Sequence, residues 1–182
     1  MNKPKKAKRV LLGVAASIAA YKACDIIRRL QDQGCDVQVI MTKEAKDFVT
    51  PLTLSCLSGK PVLSDMFEIT NGGWQMPHIT LAQGADVFLI APATANIIAK
   101  LALGLADDLV SCTALSMKGP LLIAPAMNDE MYQNAAVKNN CNQLRSRGAI
   151  FIEPKVGKLA CGVTGVGHLA EVEDIVKAVL KA

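Results

Sequence analysis

The chain has 182 residues, 51% of them hydrophobic, which suits one domain with a substantial core and makes two domains cramped. Its formal charge of +4 is concentrated at the start: Lys3, Lys5, Lys6, Lys8 and Arg9 are five of the 20 basic residues, leaving 15 against 16 acidic residues beyond Arg9. Such a nearly neutral body gives no reason to expect nucleic-acid binding, and no apolar run approaches the roughly 20 residues that span a bilayer.

Residues 1–8 read as a basic tail and residues 9–182 as one domain. The opening K-K-A-K-R-V-L-L-G-V-A-A-S-I-A-A has the outline of a signal peptide, but cleavage near Ala20 would delete the first strand of an α/β domain. The segment is therefore expected to be part of the fold. Cysteines 24, 35, 56, 112, 141 and 161 are scattered without C-x-x-C pairs or nearby histidines, so neither zinc nor a disulfide framework is indicated, and a reducing cytoplasm fits best.

In chain order, Lys8 to Ala16 reads as a strand turning at Gly13 and Ser17 into a helix from Ile18 to Gln33, closed by Gly34. Asp36 to Met41 is the second strand, ending at Thr42. Helical pieces follow around Glu44 to Val49 and Pro51 to Leu57, then a less regular stretch to Pro77. His78 to Gly84 reads as a short helix, Ala85 to Ile90 as the third strand, and Thr94 to Leu103 and Asp107 to Ser116 as helices. A fourth strand starts at Leu121 and is cut off by Pro125, with a helix from Gln133 to Arg147 beyond it. Ala149 to Ile152 is a strand, Glu153 to His168 about fifteen residues of irregular chain, and Ala170 to Leu180 the closing helix. Strands alternating with helices imply a single-domain α/β fold built on a doubly wound parallel sheet.

Ligands of such sheets bind at the carboxyl ends of the strands. Two strands end alike, F-L-I-A-P-A-T-A-N and L-L-I-A-P-A-M-N, and if adjacent their small residues would leave a slot for a flat ring. Beyond the second lie Met127, Asn128, Asp129, Glu130, Met131 and Tyr132, poor core material and plausible pocket lining. An N-cap at Asn128 or Asp129 explains the same residues equally well. The stretch G-V-A-A-S-I-A-A-Y-K from Gly13 offers a hydroxyl and backbone N–H groups at a helix start, which serves either as an anion site or as a simple N-cap at Ser17. It lacks G-x-G-x-x-G, and the second strand ends in Thr42-Lys43 rather than in a ribose-binding acid, so a dinucleotide is disfavoured. His78 alone is more often a cap or surface residue than a catalyst. Cys161 sits in G-K-L-A-C-G-V-T-G-V-G-H, where Gly157, Gly162, Gly165 and Gly167 would let a loop close over a ligand. The other five cysteines read as small buried hydrophobes.

P-A-M-N-D-E-M-Y resembles the P-x-M-N-x-x-M-W signature of the homo-oligomeric flavin-containing cysteine decarboxylases, a family that includes the phosphopantothenoylcysteine decarboxylases of coenzyme A synthesis. Tyr132 stands in place of the usual Trp. The resemblance runs from about Arg9 to Val176 and implies a Rossmann-like, flavodoxin-like domain. It also implies FMN held by Gly13, Ser17, Thr42, Thr94, Asn96 and Ala126. H-I-T-L-A-Q-G-A-D is similar to the family's H-I-x-L-x-x-x-A-D, with Gln83 where Lys or Arg is common. A-C-G-V-T-G-V-G is similar to its substrate clamp, with His168 where Arg or Ala-Met is common. His78 would then support oxidation, Cys161 supply a proton during reduction, and Asn128, with Met127 and Met131, hold the substrate.

The implied reaction takes 4'-phosphopantothenoylcysteine to 4'-phosphopantetheine. Loss of carbon dioxide from a cysteinyl carboxylate leaves a carbanion with no electron sink, and oxidation of the sulfur-bearing carbon to a thioaldehyde provides one. The enethiolate left after decarboxylation then regains the two electrons. A trimer, or four trimers as a dodecamer, is implied, as is a separate synthetase chain that makes the substrate. A peptidyl-cysteine decarboxylase would release an enethiol and need no reductive proton donor. A flavin prenyltransferase shares the implied fold but not these motifs, and a non-catalytic regulatory subunit would not need His78, Asn128 and Cys161 together.

Overall fold

The computed structural model describes residues 7–67, 76–158, 162 and 164–182. Five strands, β1 (Arg9–Val14), β2 (Asp36–Met41), β3 (Val87–Ala93), β4 (Leu121–Pro125) and β5 (Ile150–Phe151), pair in parallel in the order β2-β1-β3-β4-β5. The helices between and after them are α1 (Ala23–Asp32), α2 (Pro51–Ser58), α3 (Pro77–Gly84), α4 (Ala95–Leu103), α5 (Leu109–Ser116), α6 (Asp129–Gln133), α7 (Ala135–Ser146) and α8 (Val172–Lys181). A separate antiparallel hairpin is formed by β6 (Lys155–Lys158) and β7 (Thr164–His168).

The strands are apolar at almost every position because both faces are covered, and the pleat sends alternate residues to opposite layers. On one face Val10, Leu12 and Val14 of β1, Val37 and Val39 of β2 and Leu89 of β3 pack with Ile26, Ile27 and Leu30 of α1 and Ile175 and Val179 of α8. On the other, Leu11, Phe88, Ile90 and Ile123 pack with Ile97, Ile98 and Leu101 of α4, Leu109 and Val110 of α5 and Leu144 of α7. The opening apolar segment is thus β1, paired on both edges by β2 and β3, and losing it would remove a central strand. Among the described residues no helix is long and apolar enough to cross a membrane. Lys8, counted with the tail on charge alone, donates from Nζ to the carbonyls of Val179 (2.9 Å) and Leu180 (3.3 Å), where the last turn of α8 presents unpaired oxygens.

Several boundaries depart from the sequence reading. The first helix is divided into a 3-10 turn, Ile18–Lys22, and α1, because Ser17 caps the turn and directs it across the strand ends. Helix 133–147 is broken at Asn134, whose extended backbone ends α6 and whose side chain accepts from Ala136 N (2.9 Å) to start α7. Cys56, read as buried, is exposed.

The largest departure is the stretch expected to be irregular. Residues 155–158 pair with 164–168, Val156 opposite Val166 and Gly157 opposite Gly165. K-V-G-K and T-G-V-G-H carry too little β propensity to announce strands. The hairpin is fixed instead by tertiary contact: Met127 N donates to Gly167 O (3.0 Å), and side chains added at Gly165 or Gly167 would run into Asp129 or into the Met127 carbonyl. Those two glycines permit close packing, where the sequence reading had made them hinges.

Gly13 likewise has a packing role. It lies within β1, between Ile40 of β2 and Ile90 of β3, and a Cβ there would stand 3.0 Å from the Phe88 ring and 3.2 Å from Val110. Gly13→Val should therefore lower stability by about 1–3 kcal/mol through overpacking. Urea denaturation would measure it, and an unchanged midpoint would show that this layer has room to spare.

Candidate active site

The strand order reverses direction at β1, with β2 on one side and β3 beyond on the other, and the segments leaving the carboxyl ends diverge there. They enclose a cavity of about 680 Å³, the size of a pocket for a cofactor or drug-sized ligand. Ser17 comes from the turn after β1, Thr42 from the end of β2, Thr94 and Asn96 from the start of α4, and Ala126, Met127, Asn128 and Met131 from the β4–α6 connection. All eight were picked out from the sequence, and the fold gathers them around one space.

The edge is braced by hydrogen bonds that run past the strand ends. Ala126 N donates to Ala93 O (3.0 Å), Ala15 N to Pro92 O (3.2 Å) and Thr42 N to Val14 O (3.0 Å). Ser17 Oγ donates to Ala126 O (3.2 Å) and accepts from Ala19 N (3.3 Å), so its side chain is both the cap of the 3-10 turn and a brace to the β4 end. The two Ala-Pro-Ala ends are neighbours, Ala93 beside Pro125, and the Ala91–Pro92 peptide is cis. Thr94 caps α4 by accepting from Ile97 N (3.3 Å).

Asn128 caps α6: its Oδ1 accepts from Glu130 N (3.0 Å) and Met131 N (3.4 Å). The carbonyl oxygen is thereby committed to the cap. Both sequence readings of Asn128, cap and pocket residue, describe the same side chain. Thr42 Oγ1 is buried with no hydrogen-bond partner among the described residues, although its residue lines the cavity. A buried hydroxyl left unpaired costs about 1–3 kcal/mol, so this atom suits a ligand's polar group.

Two predicted residues lie elsewhere. Gly13 is inside the sheet against Phe88, and His78 opens α3, which packs on α5, with Nδ1 buried and unpartnered among the described residues. Neither lines the cavity. Cys161 is outside the described residues. The sequence reading missed Tyr21, Lys22, Glu44 and Phe48, which also line the cavity. Their only signal was proximity in sequence to Ser17 and Thr42. His168 lines it too, from the hairpin, with Nδ1 at 3.0 Å from Leu169 O.

Behind α6, the Tyr132 hydroxyl donates to Glu153 Oε2 (2.7 Å), while Glu153 Oε1 accepts from Arg145 Nη2 (2.6 Å). Burial, then the hydrogen bond to the Glu153 carboxylate, push the phenol pKa up to about 12.

A parallel sheet in this order, with a largely apolar cavity carrying a few polar groups across its carboxyl edge, defines an α/β ligand-binding protein of the doubly wound class. Comparison with known proteins narrows the class: the model of the flavoprotein family matches residues 1–182, and the chain belongs to that family. It is 48% identical over 170 residues to the coenzyme A biosynthesis bifunctional protein CoaBC of Bacillus subtilis (strain 168), and 44% identical over 169 residues to the protein of that name from Escherichia coli (strain K12). Each alignment covers 93% of this chain but 42% and 41% of the relative, so the chain spans about two-fifths of the length of these curated relatives. Among solved structures, it resembles a PPC decarboxylase mutant complexed with pantothenoylaminoethenethiol, with TM-score 0.87, 31% identity and coverage of 97% of this chain and 98% of that one. It also resembles the FMN-dependent cysteine decarboxylase SpaF, with TM-score 0.82, 32% identity and 96% of each chain covered.

The Tyr132 phenol gives a direct check on the α6 geometry. Because its folded pKa lies above the usual value near 10, the protonated form is favoured in the folded protein, and this stabilisation is whole below pH 10. It declines as the pH rises from about 10 to about 12, where the folded phenol ionises. Ultraviolet titration of a Tyr21→Phe variant, which leaves one phenol, should show ionisation near pH 12, and an ordinary value would mean that Tyr132 does not hold Glu153.

Proposed function

We propose that the chain is an FMN-dependent decarboxylase that converts 4'-phosphopantothenoylcysteine to 4'-phosphopantetheine in coenzyme A synthesis. The observation that carries this reading is the convergence of Met127, Asn128 and Met131 on the same cavity as Ser17, Thr42, Thr94, Asn96 and Ala126. Likeness to coenzyme A biosynthesis proteins, and to a PPC decarboxylase over nearly its whole length, supports it. The cavity residues suit a flavin: small side chains at the paired strand ends leave space for a planar ring, and Thr42 Oγ1 is a buried hydroxyl in want of a partner. Thr42, Thr94, Asn96 and Ala126 would lie against the ring, with the Ser17 turn and Lys22 toward a phosphate.

Bound FMN would supply the two-electron exchange that a cysteinyl carboxylate needs before it can lose carbon dioxide, and the protein would position the reacting groups. Asn128 donates from its amide nitrogen to the substrate carboxylate, holding it without adding a charge that would oppose departure as neutral carbon dioxide. Met127 and Met131 provide apolar walls that exclude water. His78 supports the oxidative half, and Cys161 delivers a proton to carbon in the reductive half.

The cavity rim carries exposed Ile18, Tyr21, Phe48 and Met131, an apolar border suited to burial against another copy. We assign the protein to a homo-oligomer, a trimer or a dodecamer of four trimers, in which His78 would serve a neighbouring copy's cavity. Synthesis of the substrate falls to a synthetase outside these 182 residues, and the cytoplasm, where coenzyme A precursors and reduced thiols coexist, is the compartment.

The test is the visible spectrum of purified protein, with the heat-released cofactor identified by mass. A flavin band with released FMN is expected, and a colourless protein that takes up no added FMN would overturn the assignment.

A second reading is oxidative decarboxylation of a peptidyl cysteine, and the likeness to an FMN-dependent cysteine decarboxylase, SpaF, is compatible with it. The two differ only after carbon dioxide has left. On the favoured reading Cys161→Ser should bleach the flavin and release carbon dioxide but stall with oxidised intermediate, because a serine hydroxyl is a far weaker acid than a thiol. His78→Asn should fail earlier, with neither bleaching nor carbon dioxide. Anaerobic mixing with phosphopantothenoylcysteine and mass analysis would decide, and full conversion to phosphopantetheine by Cys161→Ser would remove the thiol from the mechanism.

A further inference from the structure

The α6 turn is exposed for an element that carries ligand-facing groups. None of its five residues is fully buried, yet it presents Met131 and holds the cap Asn128 at the cavity. At its start it is held by the hairpin: Gly167 O accepts from Met127 N, and Gly165 lies so near Asp129 that a Cβ there would overlap its side chain. At its end the Tyr132 ring packs on the α4–α7 layer of the core, and its hydroxyl is the first link of a chain into the scaffold.

That chain is fixed from its far end. The Arg145 guanidinium, on α7, is held by Asn142 Oδ1 (3.1 Å), by Glu153 Oε1 (2.6 Å) and by the Phe151 ring of β5, 4.3 Å from its carbon to the ring centroid. Asn142 and the Phe151 ring hold the fork from two directions, so its orientation is largely determined before Glu153 joins. Glu153 then offers its second oxygen to Tyr132 at 2.7 Å. Glu153 also lies two residues before Lys155, where β6 begins, so one carboxylate links α6, α7 and the base of the hairpin.

We propose that Tyr132, Glu153 and Arg145 form a latch that positions the α6 turn, and through it Asn128 and Met131, against the cavity. They act as positioning residues, since none of the three lines the cavity. The inference rests on the proposed function only for its kinetic readout. An isolated exposed ion pair contributes little, but a hydroxyl donating to a carboxylate already oriented by arginine is charge-assisted and costs less entropy to form. Loss of the hydroxyl should leave the ring packing intact and loosen the turn alone.

The experiment compares Tyr132→Phe, Glu153→Ala and the double variant by two measurements. Amide hydrogen exchange at Glu130 and Met131, the two donors capped by Asn128, should quicken about fivefold in each single variant while the thermal midpoint moves little. In the double variant it should quicken no further, since one link is broken either way. With phosphopantothenoylcysteine, KM should rise about fivefold in each variant with kcat changed less than twofold. Unchanged exchange in Tyr132→Phe, or additive effects in the double variant, would overturn the latch. If the wild-type protein does not turn the substrate over, the functional reading fails, and exchange alone still decides the latch.

Discussion

The structure depends on how the parallel sheet ends. Backbone hydrogen bonds continue past the last paired residues, from Ala126 to Ala93, Ala15 to Pro92 and Thr42 to Val14, and the Ser17 hydroxyl adds a side-chain brace to Ala126. These bonds keep four diverging segments in fixed relation where no core side chains separate them. A parallel sheet buried on both faces can present functional groups only at its ends, and the braced carboxyl edge is where this chain does so.

Around that edge, small residues and polar caps have double duties. Asn128 and Thr94 satisfy helix starts with one side-chain atom while standing at the cavity wall, and Ser17 does the same for a 3-10 turn. Capping rigidifies these side chains, so a ligand meets groups already oriented and less entropy is lost on binding. Thr42 differs: its hydroxyl is buried without a partner among the described residues, a cost that a ligand's polar group would relieve.

The hairpin and α6 form the more open side of the site: no α6 residue is fully buried, and in β7 Gly167 alone is. They depend on glycines that admit close backbone approach, while the large buried side chains lie in the two apolar layers of the sheet. The latch through Glu153 and the pairing of Lys155 with Glu171 (3.7 Å) and Asp174 (3.4 Å) tie both pieces to the layers behind them through charged side chains near the surface.

Much of this was determined by local pattern. Apolar stretches punctuated by caps and glycines, continuous in β1, β3 and β4 and interrupted by Gln38 in β2, declared the first four strands and most of the helices between them, and the repeated Ala-Pro-Ala marked the two strand ends that become neighbours. The motif around Asn128 and the polar residues at the other strand ends named eight cavity residues, because in this fold strand-end position and function coincide. Tertiary structure decided the rest. Gly13, plausible in a phosphate loop, is committed to Phe88 across the sheet, and no local signal records a partner 75 residues away. K-V-G-K and T-G-V-G-H have almost no strand preference of their own and pair because β7 is anchored on Met127. The single helix expected from 133 to 147 yields to Asn134, whose side chain competes with the backbone. The links among Tyr132, Glu153 and Arg145 leave no trace in the sequence, since hydrogen bonds between side chains 8 and 21 residues apart exist only once the α6 turn, β5 and α7 have been brought together.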